Sequence, residues 1–220
     1  MSFDPVEENV TFKPLKIIAK IVKILFGTAL ILMLGWLCLR SCYQDGTEKM
    51  KRYMWTEAAA QLYDENELKV KRLVEYNDPE LGRLFFIGHI YYTEDIGQFQ
   101  FMLRYNTLNE LYKDLADENG NAEFRFELTD KNGTHYTEYQ YITDSALMYR
   151  YFRVAFENVD VTYVDKLYVN IILVTEEEEI DVGSCIVYDK EGPSDDYKLS
   201  KAEKNAQKPT KDIVVGGKEK

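Results

Sequence analysis

Hydrophobic residues near the N-terminus form one long run. Ile24–Leu39 is sixteen residues without a charge, and extending it back to Ile17 adds only Lys20 and Lys23 as charges. A helix needs about twenty apolar residues to cross a bilayer. Lys20 and Lys23, near the N-terminal end of such a helix, can lay their methylene stems along it and place their amines at the membrane interface. The run therefore predicts a transmembrane helix over residues 17–40.

Three other interpretations of this run remain open. A core helix of a soluble protein is one, although a helix that is apolar all round needs burial on every side. A cleaved signal is the second, but the charged leader is long and no small-x-small site follows the run. The third is lipidation at Cys42, since Leu39 and Ser41 fit a lipoprotein processing site while Arg40 fits it poorly.

Basic residues around the run predict its orientation. A wide count of the two flanks is a tie, but close to the apolar core three lysines precede it (Lys16, Lys20, Lys23) and only Arg40 follows it. By the positive-inside rule, the short segment of residues 1–16 is cytoplasmic and the rest of the chain is exported. Trp36 lies near the opposite end of the helix, where indoles concentrate in the interfacial belt.

Residues 43–64 follow the predicted span with a helical pattern. Good helix formers fill Glu48–Tyr63, and Thr47 is placed to act as the N-cap. The segment is either a helical stalk or the first element to dock on the domain, and docking is the simpler interpretation. The apolar stripe that favours docking is Met50, Met54, Ala58 and Leu62.

Further along the chain the hydrophobic period becomes two. Phe99, Phe101 and Leu103, for example, alternate with Gln98 and Gln100, which is the pattern of a half-buried strand. The predicted strands are Lys69–Tyr76, Leu84–Thr93, Phe99–Tyr105, Phe124–Leu128, Tyr136–Ile142, Tyr151–Phe156, Leu167–Val174 and Ile180–Tyr188.

Turn signals between these strands indicate the fold class. Asp130–Gly133 supplies hairpin chemistry between Phe124–Leu128 and Tyr136–Ile142, and Thr107–Leu115 predicts one short inserted helix. Short strands at this spacing predict a mainly β fold, an antiparallel β-sandwich of Ig-like architecture over residues 65–189. The polar tail, residues 190–220, is predicted to be disordered because it holds too few apolar residues to offset its ordering entropy.

Charge is distributed unevenly along the chain. Residues 43–189 carry 14 of the 27 Lys and Arg residues but 29 of the 38 Asp and Glu residues, which is a net charge of −15. Nucleic-acid binding requires Lys and Arg concentrated on one surface, so an acidic domain argues against a nucleic-acid partner. The 17 Tyr and 11 Phe residues favour strands.

The chain holds few residues that carry metal or nucleophile chemistry. Of its three cysteines, Cys38 and Cys42 belong to the span and its edge, and Cys185 stands in a strand-like run where a buried inert thiol is expected. The two histidines, His89 and His135, fall on different predicted strands. We therefore predict no metal site, no cofactor and no catalytic residue, since Ser145 and Ser184 also lack the sequence context of a nucleophile.

Other polar patterns have simpler explanations. The acidic run Glu176–Glu179, followed by Asp181, packs five carboxylates between two strands but lacks the spaced pattern of a calcium loop, so a solvated turn is expected. Asn9–Thr11 and Asn132–Thr134 match an N-glycosylation pattern that recurs by chance. A binding face of exposed tyrosines is a further hypothesis, although alternation turns half of them to the core. These tyrosines are Tyr136, Tyr139, Tyr141, Tyr149 and Tyr151.

Several short motifs resemble an uncharacterised family of single-pass proteins from Gram-positive bacteria. The resemblance covers residues 15–189 and implies a short N-terminal segment, one transmembrane helix and an exported β-domain in a bacterial cell membrane. It makes glycosylation irrelevant and implies no active site. The motifs are Gly97–Phe101 running into Arg104–Asn106, Tyr149–Arg153 with Phe156–Asp160, and Val187–Asp189.

Three functions follow from these patterns. The favoured one is a membrane-tethered module, not an enzyme, that binds or scaffolds an envelope protein or associates with itself. The second is a sensing or carrier domain for a small molecule, which would need a concave apolar pocket. The third is a hydrolase, which would need carboxylates such as Glu123, Glu127 and Asp181 to converge.

Overall fold

The structure, a computed structural model, describes residues 12–73, 85–109, 123–161, 164–175, 178–192, 194–206, 209 and 213–217. The chain divides into two compact units, Met1–Asp45 and Gly46–Lys220. The first contains most of one long helix, and the second contains the strands.

Helix α1 runs from Phe12 to Met50. Its segment Lys16–Arg40 is long and apolar enough to cross a membrane, with a mean hydropathy of 2.3. Among the described residues, this is the one candidate membrane span. None of its apolar window is buried in the protein. A core helix of a soluble protein would be buried, so the exposed helix is consistent with single-pass anchoring.

The helix predicted over Glu48–Tyr63 is in fact two helices. Helix α1 ends at Met50, residues 53–56 are non-helical, and α2 covers Glu57–Asp64. Thr56, and not Thr47, is the N-cap of α2, and its side chain accepts a hydrogen bond from the Ala59 N–H. The break forms because hydrogen bonds to the sheet replace helical ones over residues 53–56, which overrides a weak helix propensity.

Eleven strands form two antiparallel sheets in the described part of the chain. Sheet A has the order β10-β1-β2-β3-β7-β6-β11, and sheet B has the order β5-β4-β8-β9. Each predicted strand overlaps a strand of the structure, although Tyr136–Ile142 is divided between two strands and residues 74–76 and 84 lie outside the described residues. The mainly β prediction is confirmed. The strands are β1 Val70–Leu73, β2 Phe85–Thr93, β3 Gln98–Asn106, β4 Glu123–Asp130, β5 His135–Tyr136, β6 Tyr139–Ala146, β7 Tyr149–Phe156, β8 Lys166–Val174, β9 Glu179–Asp189, β10 Ser194–Tyr197 and β11 Val214–Gly216.

The core lies between the two sheets. Phe99, Phe101 and Leu103 of β3 pack in one cluster with Phe126 of β4 and Val169 of β8. Because side chains alternate along a strand, each sheet contributes one face to this cluster. The opposite face of sheet A is therefore left for other elements to cover.

The predicted hairpin after β4 is shorter than expected. The Asp130 carboxylate accepts hydrogen bonds from the Asn132 and Thr134 N–H groups at 2.7 and 2.8 Å, which fixes the turn. However, only the first two residues of the tyrosine-rich stretch, His135–Tyr136, pair with β4, whereas Tyr139–Ala146 pairs with β7 in sheet A. The tyrosine-rich stretch thus leaves one sheet and joins the other. Of the helix predicted over Thr107–Leu115, residues 110–115 lie outside the described residues.

The tail, which the sequence predicts to be disordered, contains two strands and a short helix among its described residues. Strand β10 pairs with β1, and β11 pairs with β6, so both become edges of sheet A. Between them, α3 covers Lys201–Lys204 with a complete capping box between Ser200 and Glu203. An edge strand is stabilised by backbone hydrogen bonds and needs few apolar side chains of its own, which composition alone does not reveal.

We expect Gly97→Ala to lower the free energy of unfolding by about 2 kcal/mol. Gly97 has a φ of +58°, and an added Cβ would lie 3.0 Å from the backbone N and O of Val159. Urea unfolding of the full-length protein in detergent micelles, followed by circular dichroism, measures the change.

The matched control is Gly133→Ala. Gly133 also has a positive φ, +83°, but an added Cβ would meet nothing within 4 Å. Its cost should therefore be the conformational penalty alone, about 1 kcal/mol. Equal costs at the two positions would contradict the close approach at Gly97.

Candidate functional site

The face of sheet A that points away from the core carries buried polar side chains. Gln98 and Gln100 occupy positions that alternation assigns to solvent, yet each is only 1% exposed. They are covered by residues 51–56, which we call the covering segment. This segment carries Tyr53 and Trp55 into a second apolar cluster with Tyr91 of β2.

The two glutamines hold the main chain of the covering segment. The Gln100 Oε1 accepts from the Met54 N–H at 3.0 Å, and the Gln98 Nε2 donates to the Met54 carbonyl at 2.9 Å. The Thr56 hydroxyl donates to the Gln98 Oε1 at 2.7 Å. Buried backbone groups need such partners, so these amides stand in for a neighbouring strand.

Arg153 of β7 holds the start of the same segment. Its Nη1 donates to the carbonyls of Lys49, Arg52 and Tyr53 at 3.1, 3.2 and 3.4 Å. Burial lowers the pKa of the Arg153 guanidinium to about 10. An arginine suits this position because its fork of donors can bind several carbonyl oxygens at once.

Two donors in this region have no hydrogen-bond partner among the described residues. They are the Nε of Arg153 and the indole Nε1 of Trp55, and both nitrogens are buried. A buried donor without an acceptor costs about 1–3 kcal/mol. Unpaired buried donors are uncommon in folded proteins and indicate a place where an acceptor can be gained.

Glu203 of α3 holds the covering segment from the side of the tail. The residue is 1% exposed, and its carboxylate accepts from the Tyr53 N–H at 2.7 Å, the Ser200 N–H at 2.8 Å and the Tyr197 hydroxyl at 3.0 Å. Burial by itself would raise the pKa of Glu203, but the hydrogen bonds from Ser200, Tyr53 and Tyr197 lower it below its ordinary value. The carboxylate is therefore ionised at neutral pH.

A cavity of about 710 Å³ lies beside these groups. Ile142 and Arg153 of sheet A, Trp55 of the covering segment and Ala202 of α3 all line it. Its lining thus combines apolar side chains with the two residues whose donors are unpaired. The remaining lining residues are Lys49, Met50, Arg52, Tyr53, Thr143, Asp144, Glu203 and Ala206.

The two histidines are not brought together. His89 lies in β2 of sheet A, and His135 lies in β5 of sheet B, where its Nδ1 contacts the Glu127 carboxylate at 2.5 Å. Within the residues that the structure describes, no group of His, Cys, Asp and Glu side chains is arranged to hold a metal ion. Cys185 is buried in the core, as expected of an inert thiol.

The carboxylates that a hydrolase would need do not all converge at one place, and some of them are paired with a basic side chain. Glu179 forms a two-point ion pair with Arg125 at 2.7 and 2.8 Å, and Glu127 contacts His135. Glu123, Glu127 and Glu179 line a second cavity of about 710 Å³, whose lining does not include Asp181. Of the acidic run, Glu176 and Glu177 lie outside the described residues. Ser145 and Ser184 are both exposed, in β6 and β9 respectively.

The tyrosines divide between several roles. Tyr139 is buried in the core between the sheets, and Tyr151 is buried as well. Tyr136 and Tyr141 are half-buried against the core, and Tyr149 stacks with Arg104. These five tyrosines therefore do not form one exposed binding face.

Sequence reasoning missed the residues of the cavity. Arg153 and Gln100 occupy the polar positions of alternating strands, which predicts solvent exposure and gives no sign of a covering segment. Comparison of the chain with known protein families, with curated proteins and with solved structures found no match.

We expect Glu203→Gln to lower the free energy of unfolding by about 2 kcal/mol at neutral pH. A glutamine keeps the shape but loses the charge that strengthens the hydrogen bonds from Tyr53, Ser200 and Tyr197. Because the pKa of Glu203 is lower in the folded protein, its stabilisation is present above the ordinary pKa of 4.5 and is lost as the pH falls through the lowered pKa.

Urea unfolding at about pH 7 and about pH 3 measures the difference between the wild type and the variant. The difference should narrow at the lower pH. Glu67→Gln is the control, because Glu67 is exposed and its substitution should change the free energy of unfolding little at either pH. A pH-independent difference for Glu203→Gln would show that shape, and not charge, holds the segment.

Proposed function

We propose that the chain is a single-pass membrane protein whose β-domain is exported and binds a partner protein at the cell envelope. The exposed candidate span Lys16–Arg40 supports the anchor. The lysines that precede the span support a cytoplasmic N-terminus. The two packed antiparallel sheets support an Ig-like sandwich, a fold whose loops commonly serve recognition. The bacterial membrane rests on the family resemblance alone.

The observation that carries the proposal is an exposed apolar tip at one end of sheet A. Leu147 and Met148 form the two-residue turn between β6 and β7, and Leu108 lies in the turn after β3. The Thr107 N–H donates to the Met148 carbonyl at 2.8 Å, which holds the two turns together. These three side chains, which we call the apolar tip, are 57% (Leu108), 64% (Leu147) and 40% (Met148) exposed.

The backbone of Leu147 adds to this argument. Its φ is +56°, in the left-handed region that a two-residue hairpin turn usually fills with glycine or asparagine. Leucine there costs about 1–2 kcal/mol and also leaves an apolar side chain in water. Folding alone gains nothing from this choice, whereas a partner with an apolar depression gains a contact.

The partner we propose is a different protein, not a second copy of the chain. The region of residues 43–189 carries a net charge of −15, so two copies repel each other on approach. A partner with a basic surface would instead be attracted to this region, and an apolar groove on it would receive the tip. Self-association is the competing outcome of the experiment.

A second candidate function, a sensing or carrier domain for a small molecule, is favoured by the cavity beside Arg153 and Trp55. It combines an apolar lining with unpaired donors, which is the usual composition of a ligand site. The two functions are compatible, because the tip and the cavity use different residues.

We expect a photo-crosslinking amino acid at Met148 to capture one discrete heterologous protein when the full-length chain is in its native membrane. The same group at Asp181, an exposed position in β9, is the control and should not capture that protein. Mass spectrometry identifies the adduct, and binding of the purified partner confirms it. Capture of a second copy of the chain would replace the heterologous partner with self-association.

Leu147→Gly separates binding from folding. It should abolish capture because it removes the most exposed side chain of the tip. It should also raise the free energy of unfolding by about 0.5–1 kcal/mol, because glycine adopts a positive φ without steric cost. Retention of capture by this stabilised variant would contradict a binding role for the tip.

A further inference from the structure

The lining of the cavity beside Arg153 favours an anion. Its cations are Lys49, Arg52 and Arg153, and its two acidic residues are Asp144 and Glu203. Both oxygens of the Glu203 carboxylate already accept hydrogen bonds from the protein. The Asp144 carboxylate accepts one from the Ser145 N–H at 2.7 Å. Three positive groups thus line the cavity with two negative ones, and both carboxylates accept hydrogen bonds from the protein.

Arg153 is fixed in place but not saturated. Its Nη1 is shared among three backbone carbonyls, while its Nε has no acceptor among the described residues. A guanidinium held in this way is pre-organised, so an anion gains its charge without having to order the side chain. Trp55, whose buried indole N–H also lacks an acceptor among the described residues, is part of the same lining.

Apolar groups make up much of the remaining wall. Met50 and Ile142 face the cavity from α1 and β6, and Ala202 and Ala206 face it from the tail. Small side chains at the last two positions leave the space open. A volume of about 710 Å³ lies within the range of small-molecule sites, roughly 300–1,000 Å³.

We infer that this cavity binds an amphiphilic anion, a carboxylate or phosphate group attached to a compact apolar body. The anion pairs with the positive charges of the lining, foremost that of the Arg153 guanidinium, and the apolar body packs on Ile142 and Met50 beside Trp55. The inference is independent of the proposed partner protein, since it uses none of the residues of the apolar tip.

Trp55 offers a direct readout of binding. The chain has two tryptophans, so Trp36→Phe in the span leaves Trp55 as the single fluorophore. In neutral detergent micelles, octanoate should shift the Trp55 emission in a saturable way. Octanol, with the same chain but no charge, and inorganic phosphate, with charge but no apolar body, should each bind at least tenfold more weakly.

Two variants, each made in the Trp36→Phe protein, test the guanidinium and the space of the cavity separately. Arg153→Lys keeps the positive charge but loses the fork, and it should weaken octanoate binding by about tenfold, which is about 1.4 kcal/mol. Ala202→Leu leaves every donor in place and fills the cavity, so it should abolish binding. Ala58→Leu is its matched control, because Ala58 is an exposed helical alanine that does not line the cavity.

Far-UV circular dichroism shows whether each variant is folded. If Arg153→Lys does not fold, Ala202→Leu still decides the question. Equal shifts with octanoate and octanol, or an unchanged octanoate affinity in Ala202→Leu, would overturn the inference, since octanoate would then report only partition into the micelle.

Bilayers of defined composition identify the source of the anion. Full-length protein with Trp55 as its only tryptophan is placed in nanodiscs of phosphatidylcholine or of phosphatidylglycerol. An emission difference between the two lipids that disappears in Ala202→Leu assigns the site to an anionic lipid headgroup. Identical emission in both lipids, with a saturable response to added octanoate, assigns it to a soluble anion. If the Trp55 emission responds neither to the lipid composition nor to added octanoate, the inference is overturned.

Discussion

The β-domain depends on hydrogen bonds that hold an irregular segment across one face of a sheet. Residues 51–56 belong to no helix or strand, and yet Tyr53–Thr56 are buried. Buried backbone groups must be paired, and here the partners are side chains of Gln98, Gln100 and Arg153. Replacing any of these side chains with an apolar one would leave buried N–H or C=O groups without partners. The second face of sheet A is therefore covered by a segment whose main chain is hydrogen-bonded to the polar side chains of that face.

This arrangement determines how the chain continues after α1. The helix ends at Met50, and Arg153 binds the carbonyls of Lys49, Arg52 and Tyr53 within the next turn of chain. The tail closes the other side, because Glu203 accepts from Tyr53 N–H, 150 residues away in sequence. Residues 49–56 are thus bound from the sheet and from the tail. Of the two interpretations of the sequence, docking on the domain describes these residues better than a helical stalk does.

The sequence is most informative where a feature depends on neighbouring residues. The candidate span follows from one apolar run, and strands such as β3, β4 and β7 follow from alternation because one face of each sheet packs in the core. Alternation predicts the wrong exposure for Gln98 and Gln100, which are buried. It assigns every polar position to solvent, because it contains no information about a distant segment that covers the sheet. The tail shows the same limit: β10 and α3 are stabilised by pairing with β1 and by the Glu203 contacts, and neither partner is adjacent in sequence.

Two departures from local rules lie on one hairpin, the unpaired Nε of Arg153 and the positive φ of Leu147. Strands β6 and β7 carry Ile142 and Arg153 into the cavity, and their connecting turn carries Leu147 with its positive φ and exposed side chain. Natural sequences break the rules of satisfied burial and unstrained backbone mainly where function requires it. A ligand in the cavity would contact the same two strands that present the apolar tip. Because β6 and β7 pair along their whole length, a ligand in the cavity and a partner at the tip would both contact one continuous hairpin.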